Sequence, residues 1–440
     1  MKHTFDEIKT CKNYYKIGSF EELYDGIDSL GGKRDILKKR IEPWLSAALQ
    51  SEHMNLLIGS GLTTAVCNIA GVNSSSMNTA DFGKFTSRIN EYAQKEADQL
   101  NRGNANIEDQ IRTALSLLHG YEINKNEGNR KSLEKQINQV LQSFSESILA
   151  SETNLVKESR KPESSGKVRE ALLLLQSFLF TFASRNSTRD RAHIFTTNYD
   201  RFIEYGCDTA GIKVLDRFWG KIVPKLEENA SSIDYYYHTS DINNEFRYAE
   251  GVVRFTKLHG SIDWYEQNGI VYRDALRFGA DKIQLPNGLT YKDHLMIFPN
   301  SMKSVETAFY PYAELFRDFS TAVCRPNTTL FTYGYGFGDT HINKIIREML
   351  NTPSTHLIIS TYSFDDKLIN FLRSVNMAQV SILSGPEFCG LDNLVNFYLP
   401  KASIDNITIT ASKLIENRKG YIETNESEPG SGVDIDGENF

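Results

Sequence analysis

The stretch HIFTTNYD, residues 193–200, decides the fold class that this sequence predicts. An apolar run of strand length ends there in polar residues, and a helical pattern follows at 199–209. The same arrangement returns at 252–261, where the run ends in KLHGS, and at 328–343, which ends in GYGFGDTHIN. This alternation predicts an α/β fold with a mostly parallel sheet and helices on both faces. The other predicted elements are strands at 356–361 and 379–383 and helices at 309–323, 340–350 and 365–374.

The polar residues that end these strands are candidate ligand-binding residues. The carboxyl ends of parallel strands meet at one edge, where open α/β sheets bind ligands. Thr197, Asn198 and Asp200 follow the first strand, although helix capping by Thr197 or Asn198, with Asp200 in the first turn, is a competing interpretation. His259 follows the next strand, and an unperturbed histidine pKa of ~6.5 suits proton transfer. A structural role for His259 is the alternative, since the chain has nine histidines.

A glycine turn adds to this edge. In MNLLIGSG, residues 54–61, a predicted strand reaches a helix through Gly59, Ser60 and Gly61. Backbone N–H groups beside a helix N-terminus favour phosphate. The segment lacks the third glycine of GxGxxG and the lysine of a P-loop, so a tight turn is the competing interpretation.

The segment GYGFGDTHIN, residues 334–343, is richer in glycine and polar groups. Alternating glycines from Gly334 onwards, with Tyr335 between them, let backbone approach a ligand closely. Asp339 or Thr340 can cap the helix that begins near His341. A flexible loop is the alternative, but four such segments on the strand ends of one sheet predict a nucleotide cleft.

The sequence divides into four predicted regions. Residues 1–52 form a helical N-terminal extension, with a capping box at Ser19 and Glu22 and a second helix from about 35 to 50 that Pro43 kinks or breaks. Amphipathic helices fill an insertion at 81–190. The core is 53–80 together with 191–400, and 401–440 is a C-terminal segment with an acidic tail, expected to be disordered, from about 421.

Composition excludes several classes of protein. The 440 residues include 49 basic and 56 acidic side chains, a formal net charge of −7, which is not typical of a free-standing nucleic-acid binder. The five cysteines are widely spaced without a CxxC pair, so neither a disulfide framework nor a metal site is predicted, and a cytoplasmic location is expected. The first residues lack a signal-peptide core, and no apolar stretch is long enough to span a membrane.

The segments GSG, TTNYD, KLHGS and GYGFGDTHIN, in this order and spacing, resemble the bacterial sirtuin-like (silent information regulator-like) NADase family. Within it, the chain is similar to the sirtuin-like subunit of HerA-type ATPase anti-phage defence systems. The resemblance covers roughly 53–400 and implies a Rossmann-like, NAD-binding core.

The resemblance also implies roles for individual residues. Asn198 matches the asparagine near the nicotinamide ribose, and His259 matches the catalytic histidine that contacts the ribose hydroxyls. Asp200 matches the aspartate of the nicotinamide pocket. The resemblance places Gly59, Ser60 and Gly61 at the pyrophosphate and Gly334 and Tyr335 at the adenosine end. Thr197 is a further cofactor-binding residue, and Asp339 and His341 are typical of the bacterial branch and have no assigned role.

The sequence differs from the protein deacetylases of this family in two features that bear on the predicted reaction. Those enzymes carry a four-cysteine zinc domain and a Gly-Ile-Pro-Asp-Phe-Arg stretch, where this chain has no CxxC pair and reads TAVCNIAGVNSS at 64–75. The resemblance with these departures implies that water attacks the ribose, so that NAD is hydrolysed to nicotinamide and ADP-ribose. It further implies a role in anti-phage defence by NAD depletion, a homo-oligomer, a HerA-type translocase ATPase as partner, and no direct contact with nucleic acid or membrane.

Two alternatives remain open. The first is an NAD-dependent protein deacylase or ADP-ribosyltransferase on the same fold. The second is a non-catalytic subunit that binds NAD or ADP-ribose and stabilises an ATPase assembly. A nuclease is disfavoured because no paired-carboxylate metal site is evident and the net charge is wrong.

Overall fold

The fold is taken from a computed structural model, which describes residues 2–25, 33–75, 78–99, 103–227, 233–237, 247–286, 288–291, 294–296 and 310–401. The predicted acidic tail from about 421 lies outside the described residues. The described strands are β1 (Asn13–Ile17), β2 (Phe20–Tyr24), β3 (His53–Ile58), β4 (His193–Thr196), β5 (Lys213–Leu215), β6 (Phe218–Trp219), β7 (Lys225–Leu226), β8 (Tyr236–Tyr237), β9 (Arg247–Tyr248), β10 (Val252–Lys257), β11 (Gly260–Gln267), β12 (Ile270–Arg273), β13 (His294–Met296), β14 (Thr328–Tyr333), β15 (His356–Thr361) and β16 (Val380–Ser384).

The helices surround a central sheet. The α-helices in the described residues are α1 (Phe5–Thr10), α2 (Arg34–Leu49), α3 (Ser60–Ala70), α4 (Thr86–Gln99), α5 (Ile107–Ile123), α6 (Glu127–Ser159), α7 (Ser165–Ala183), α8 (Phe202–Thr209), α9 (Tyr312–Val323), α10 (Thr340–Met349), α11 (Asp366–Leu372), α12 (Pro386–Cys389) and α13 (Leu391–Asn393). The helix α2 continues through Pro43. No helix in the described part of the chain is long and apolar enough to cross a membrane.

The central sheet has the strand order β2-β1-β16-β15-β14-β3-β4-β10-β5. All pairs from β16 to β5 are parallel, and the β1–β2 hairpin joins at one edge by antiparallel pairing. Strand β3 lies between β4 and β14, and the chain builds outwards from it in both directions. This is a topological switch point, and open α/β sheets bind ligands at the carboxyl edge of the sheet at such a point. The predicted Rossmann-like α/β fold is confirmed.

The strands are buried because helices cover both faces. Alternate residues of a strand point to opposite faces, so Leu56 and Ile58 of β3 pack into one core and Leu57 packs into the other. The first core includes α2, α3, α7 and α8, and the second includes α9, α10 and α11. The helices packed on both faces of the sheet therefore fix the position of the carboxyl ends of its strands.

The N-terminal region differs from the prediction. Residues 13–24, expected to be helical, form the hairpin β1–β2, and the helix predicted to begin at Ser19 is wrong. Ile17 pairs with Phe20, so Gly18 and Ser19 are the two turn residues, and Gly18 has a φ of 55°. A two-residue hairpin turn favours glycine at such a φ. Five buried residues in β1 outweigh the local capping-box pattern.

The helical region at 81–190 divides between two cores. Helices α4, α5 and α6 pack into a third core, which includes Ile111 and Leu141 and, from outside the helical region, Tyr199. Helix α7 instead packs into the core of the central sheet through Phe178 and Phe182. All the described elements of this region are therefore helices, but they do not form one separate subdomain, because α7 packs against the central sheet.

A second, smaller sheet was not predicted from the sequence. It has the strand order β13-β11-β12-β7-β6, and β11 begins at Gly260, directly after His259. The carboxyl end of β10, which carries the candidate residue His259, therefore leads directly into the second sheet. Its short antiparallel strands lack the long apolar runs that marked the parallel sheet.

Candidate functional site

A cleft of about 240 Å³ lies at the carboxyl ends of β3, β4, β10 and β14, on the topological switch point. It brings together residues from all four sequence segments. Two predicted residues, Gly61 and His341, are absent from its lining. The predicted residues that line it are Gly59, Ser60, Thr197, Asn198, Asp200, His259, Gly334, Tyr335 and Asp339.

The glycine turn holds two loops together. A Cβ on Gly59 would lie 2.4 Å from the Gly334 carbonyl oxygen, and one on Gly61 would lie 2.5 Å from Gly334 Cα. The Gly59 N–H donates to the Tyr333 carbonyl oxygen (3.0 Å), and the Gly61 N–H donates to that of Gly334 (3.2 Å). Two of the N–H groups expected to face phosphate are therefore bonded within the protein. Close backbone packing accounts for both glycines.

Asn198 joins the loops that follow β3 and β4. Its side-chain Nδ2 donates to the Gly59 carbonyl oxygen (3.1 Å) and to Thr63 Oγ1 (3.2 Å). Because a carbonyl oxygen only accepts, the amide nitrogen must face Gly59. The amide oxygen Oδ1 is then the atom that Asn198 can offer to a ligand in the cleft.

Asp200 lies beside Asn198 on the same network. Thr63 Oγ1 donates to Asp200 Oδ2 (2.8 Å), and the Phe202 N–H donates to Oδ1 (3.3 Å). Burial raises the pKa of the Asp200 carboxyl, while the nearby Lys257 charge and the Thr63 hydrogen bond oppose the rise. Sequence reasoning missed Thr63, since no motif marks it on α3.

The capping interpretation of this segment is wrong for Thr197 and Asn198. Helix α8 begins at Phe202, and its N-cap residue is Arg201, without a side-chain capping bond. Residues 197–200 are held instead by Lys257, whose buried Nζ donates to the carbonyl oxygens of Tyr199 (3.3 Å) and Asp200 (2.5 Å). Thr197 and Asn198 therefore do not cap α8, and both line the cleft.

His259 is paired with an acid from a distant segment. Its Nε2 lies 2.9 Å from Asp339 Oδ2, and both side chains are buried. The other oxygen, Asp339 Oδ1, accepts from the N–H groups of His341 (3.0 Å) and Ile342 (3.3 Å), so Asp339 is the N-cap of α10 as predicted. A carboxylate at a helix N-terminus is favourably placed.

Neighbouring side chains hold this loop in place. The Tyr335 hydroxyl donates to Asn343 Oδ1 (3.0 Å) and also lies 3.3 Å from the Asp339 carbonyl oxygen. Asn343 Nδ2 in turn donates to the Phe337 carbonyl oxygen (2.8 Å). His341 is not among the lining residues of the cleft, and its ring lies 4.7 Å from that of Phe316.

The helical region also contributes to the cleft, which sequence reasoning did not foresee. The start of α5 lines it through Asn106, Glu108 and Asp109. The Tyr199 hydroxyl donates to Glu108 Oε1 (2.9 Å), and burial raises the pKa of Tyr199. Lys367 of α11 is a further lining residue that no motif indicated.

A larger cavity, of about 870 Å³, lies elsewhere, beside the first residues of β3 and β4. Its lining includes Arg217, which is paired with Asp318, and Arg254, which is paired with Asp234. Open α/β sheets bind ligands at the opposite, carboxyl edge. We therefore take the smaller cleft as the candidate site. In the part of the chain that the structure describes, no three or more His, Cys, Asp or Glu side chains are grouped to hold a metal ion.

Comparison with known families matches the middle of the chain to one family model. Residues 192–378 match the model of the SIR2-like domain family. The matched region contains TTNYD, His259 and Asp339. This part of the chain is similar to SIR2-like domains, a likeness that implies use of NAD. A search of curated proteins gave no match.

Proposed function

We propose that the protein hydrolyses NAD to nicotinamide and ADP-ribose. One observation carries the proposal: the Asn198 amide and the His259 imidazole line the same cleft at the switch point of a sheet whose matched part is SIR2-like. These two side chains supply a hydrogen-bond acceptor and a proton acceptor, which are the groups needed to direct water at a ribose carbon.

The reaction breaks the bond between the ribose C1′ and the pyridinium nitrogen of nicotinamide. The bonding electron pair leaves with that nitrogen, so nicotinamide departs as a neutral molecule and needs no strong general acid. Positive charge develops on the ribose, as in other glycosyl transfers. A water oxygen then bonds to C1′ and gives up one proton, and the products are ADP-ribose and nicotinamide.

Asn198 positions the water or a ribose hydroxyl. Its Nδ2 is held by Gly59 and Thr63, which fixes the orientation of Oδ1. A carbonyl-type oxygen in this position accepts a hydrogen bond and turns the lone pair of a water towards the ribose carbon. Fixed placement of this kind lowers the entropic cost of reaching the transition state.

His259 accepts a proton from the water or from a ribose hydroxyl. When Nε2–H donates to Asp339, Nδ1 is the ring nitrogen that accepts a proton. Asp339 also stabilises the imidazolium that forms when Nδ1 accepts the proton. Asp200, whose pKa is raised by burial, holds the nicotinamide carboxamide.

Hydrolysis is favoured over protein deacylation by the sequence itself. The chain has no CxxC pair, and TAVCNIAGVNSS stands where the deacetylases carry Gly-Ile-Pro-Asp-Phe-Arg. In addition, α5 lines the cleft and contacts Tyr199 through Glu108. Water is thus the better acceptor for the ribose than an acyl-lysine peptide.

In the cell, NAD depletion would serve anti-phage defence by abortive infection, in the cytoplasm. We propose a homo-oligomer that works with a HerA-type translocase ATPase, the arrangement suggested by the family that the motifs resemble. Size measurement of the purified chain, alone and with the ATPase, tests this part of the proposal. A monomer that does not associate with the ATPase would contradict it.

The chemical outcome separates hydrolysis from its rivals. NAD labelled in the adenine ring is incubated with the protein, and free ADP-ribose, nicotinamide and protein-bound label are measured. We expect ADP-ribose and nicotinamide in equal amounts with no label on protein. Label transferred to protein would indicate an ADP-ribosyltransferase, and tight NAD binding without turnover, even with the partner present, would indicate a non-catalytic subunit.

A further inference from the structure

The charges that line the cleft are unusual for a site that takes a dinucleotide. Four described lining residues are acidic, namely Glu108, Asp109, Asp200 and Asp339. Among the described residues that line it, Lys367 is the one lysine or arginine. The diphosphate of NAD carries two negative charges, so an acidic cleft needs a cation at the point where the diphosphate lies.

The acids already have partners within the protein. Asp339 pairs with His259, Glu108 accepts from the Tyr199 hydroxyl, and Asp109 lies 3.6 Å from Arg112. These contacts reduce the repulsion of an anionic ligand but offer it no positive charge. A positively charged side chain of the cleft that can still bind a ligand is therefore needed to neutralise the diphosphate.

The glycine turn supplies fewer donors than its sequence suggested. The Gly59 and Gly61 N–H groups are bonded to carbonyl oxygens of β14 and its loop. Of the three residues, Ser60 is the one whose N–H and hydroxyl can turn to a phosphate at the start of α3. One such residue does not neutralise a diphosphate, so a further donor is needed.

Lys367 lies where it can act as that donor. It belongs to the first turn of α11, after β15, which is the neighbour of β14 in the sheet. A Cβ on Gly338 would lie 3.8 Å from Lys367 Cδ and 3.9 Å from Nζ, so the lysine side chain runs along the loop that follows β14. Among the described residues, Lys367 makes no ion pair or hydrogen bond, whereas Asp366 beside it pairs with Lys9.

We infer that Lys367 is a substrate-binding residue whose ammonium group binds the diphosphate of a dinucleotide in the cleft. The inference rests on the proposed function for the identity of the ligand and extends it to a residue outside the recognised motifs. Lys367 contributes binding free energy in the ground state and takes no part in bond breaking. Its loss should therefore raise KM and leave kcat nearly unchanged.

The test compares two ligands that differ in their phosphates. Binding of ADP-ribose, which has the diphosphate, and of adenosine, which has none, is measured by calorimetry for the wild type, Lys367→Ala and Lys367→Arg. The matched control is Lys344→Ala, which removes an exposed lysine of α10 that does not line the cleft. Neither ligand requires turnover, so the measurement is independent of hydrolysis.

We expect Lys367→Ala to weaken ADP-ribose binding by about 10- to 100-fold, as for loss of a hydrogen bond to a charged group. Adenosine binding should be unchanged, and Lys367→Arg and Lys344→Ala should bind ADP-ribose about as well as the wild type. The inference is overturned if Lys367→Ala binds ADP-ribose normally, if it loses adenosine equally, or if the wild type binds no ADP-ribose. If binding depends on Lys367 but nicotinamide is never released, hydrolysis fails and the inference stands.

Discussion

The Nε2 atom of His259 lies 2.9 Å from Oδ2 of Asp339, a residue 80 positions further along the chain. Asp339 is itself fixed, because its other carboxylate oxygen caps α10. The helix therefore orients the imidazole through a single carboxylate. This pairing gives a role to a residue whose contribution the sequence motif left undefined.

Replacing Asp339 should disable His259 without removing it. In Asp339→Asn the amide can still cap α10 through its oxygen, but it no longer stabilises an imidazolium. We expect kcat for nicotinamide release to fall by about 10²-fold or more, within the range for positioned proton transfer, with little change in KM. Steady-state kinetics check this, and Asp365→Asn, which alters the N-cap of α11, is the control. If kcat fell equally in both variants, Asp339 would act only as a helix cap and not on His259.

Thr63 bridges Asn198 and Asp200 through one hydroxyl group. Thr63→Val keeps the shape of the side chain but leaves the partners of that hydroxyl unsatisfied. We expect the free energy of unfolding to fall by about 1–3 kcal/mol and nicotinamide release to slow by about tenfold. Denaturant unfolding and kinetics measure the two effects. Thr209→Val, where the hydroxyl bonds only carbonyl oxygens of its own helix and does not line the cleft, should change neither, and equal effects at both positions would contradict the bridge.

Gly334 and Gly336 offer a matched pair in the loop that follows β14. Gly334 has a φ of 59°, and a Cβ there would lie 2.6 Å from Gly61 Cα, whereas nothing lies within 4 Å of a Cβ on Gly336. We expect Gly334→Ala to lower the free energy of unfolding by about 1–3 kcal/mol or more. Gly336→Ala should be nearly neutral. Thermal unfolding measures the stability of both variants. If Gly334→Ala were as stable as the wild type, the loops that follow β3 and β14 would not be in contact.

The raised pKa of Glu204 should make the free energy of unfolding depend on pH. The Glu204 carboxylate lies 2.8 Å from Lys257 Nζ. Burial raises the pKa of Glu204 from 4.5 to about 7, against the opposing effect of Lys257. The folded state therefore binds the proton more tightly than the unfolded state does. This contribution to stability is complete below pH 4.5 and is lost as the pH rises towards 7.

Glu204→Gln should remove that contribution. Between pH 5 and 8 the wild type should lose on the order of 1–3 kcal/mol relative to the variant, a range reduced for the 26% exposure of the side chain. Urea unfolding of both proteins at several pH values gives the difference. Parallel stability curves would show that Glu204 has an ordinary pKa.

The sequence predicted the elements that local patterns determine. The strands before TTNYD, KLHGS and GYGFGDTHIN are long apolar runs, because both faces of a parallel sheet are buried. Their carboxyl ends then place Asn198, His259 and Asp339 at one edge. The predicted site residues were thus brought together by topology alone, apart from Gly61 and His341, which lie outside the lining of the cleft.

Contacts between distant segments were not predictable in the same way. The pairing of Tyr199 with Glu108 joins residues 91 positions apart, and nothing in either local sequence indicates the other. The β1–β2 hairpin was missed because Ser19 and Glu22 also fit a helix start, and only burial in the sheet decides between the two. Thr63 and Lys367 lie on ordinary helical surfaces, and only the folded chain turns them to the cleft.

The most direct test of the account is nicotinamide release from NAD by the wild type, Asn198→Ala and His259→Ala, alone and with the proposed ATPase partner. His119→Ala, an exposed histidine of α5, is the control. We predict that wild type and control release nicotinamide and ADP-ribose in equal amounts, and that each site variant is at least about 100-fold slower. Full activity in both site variants, or a wild type that leaves NAD intact under both conditions, would contradict the account.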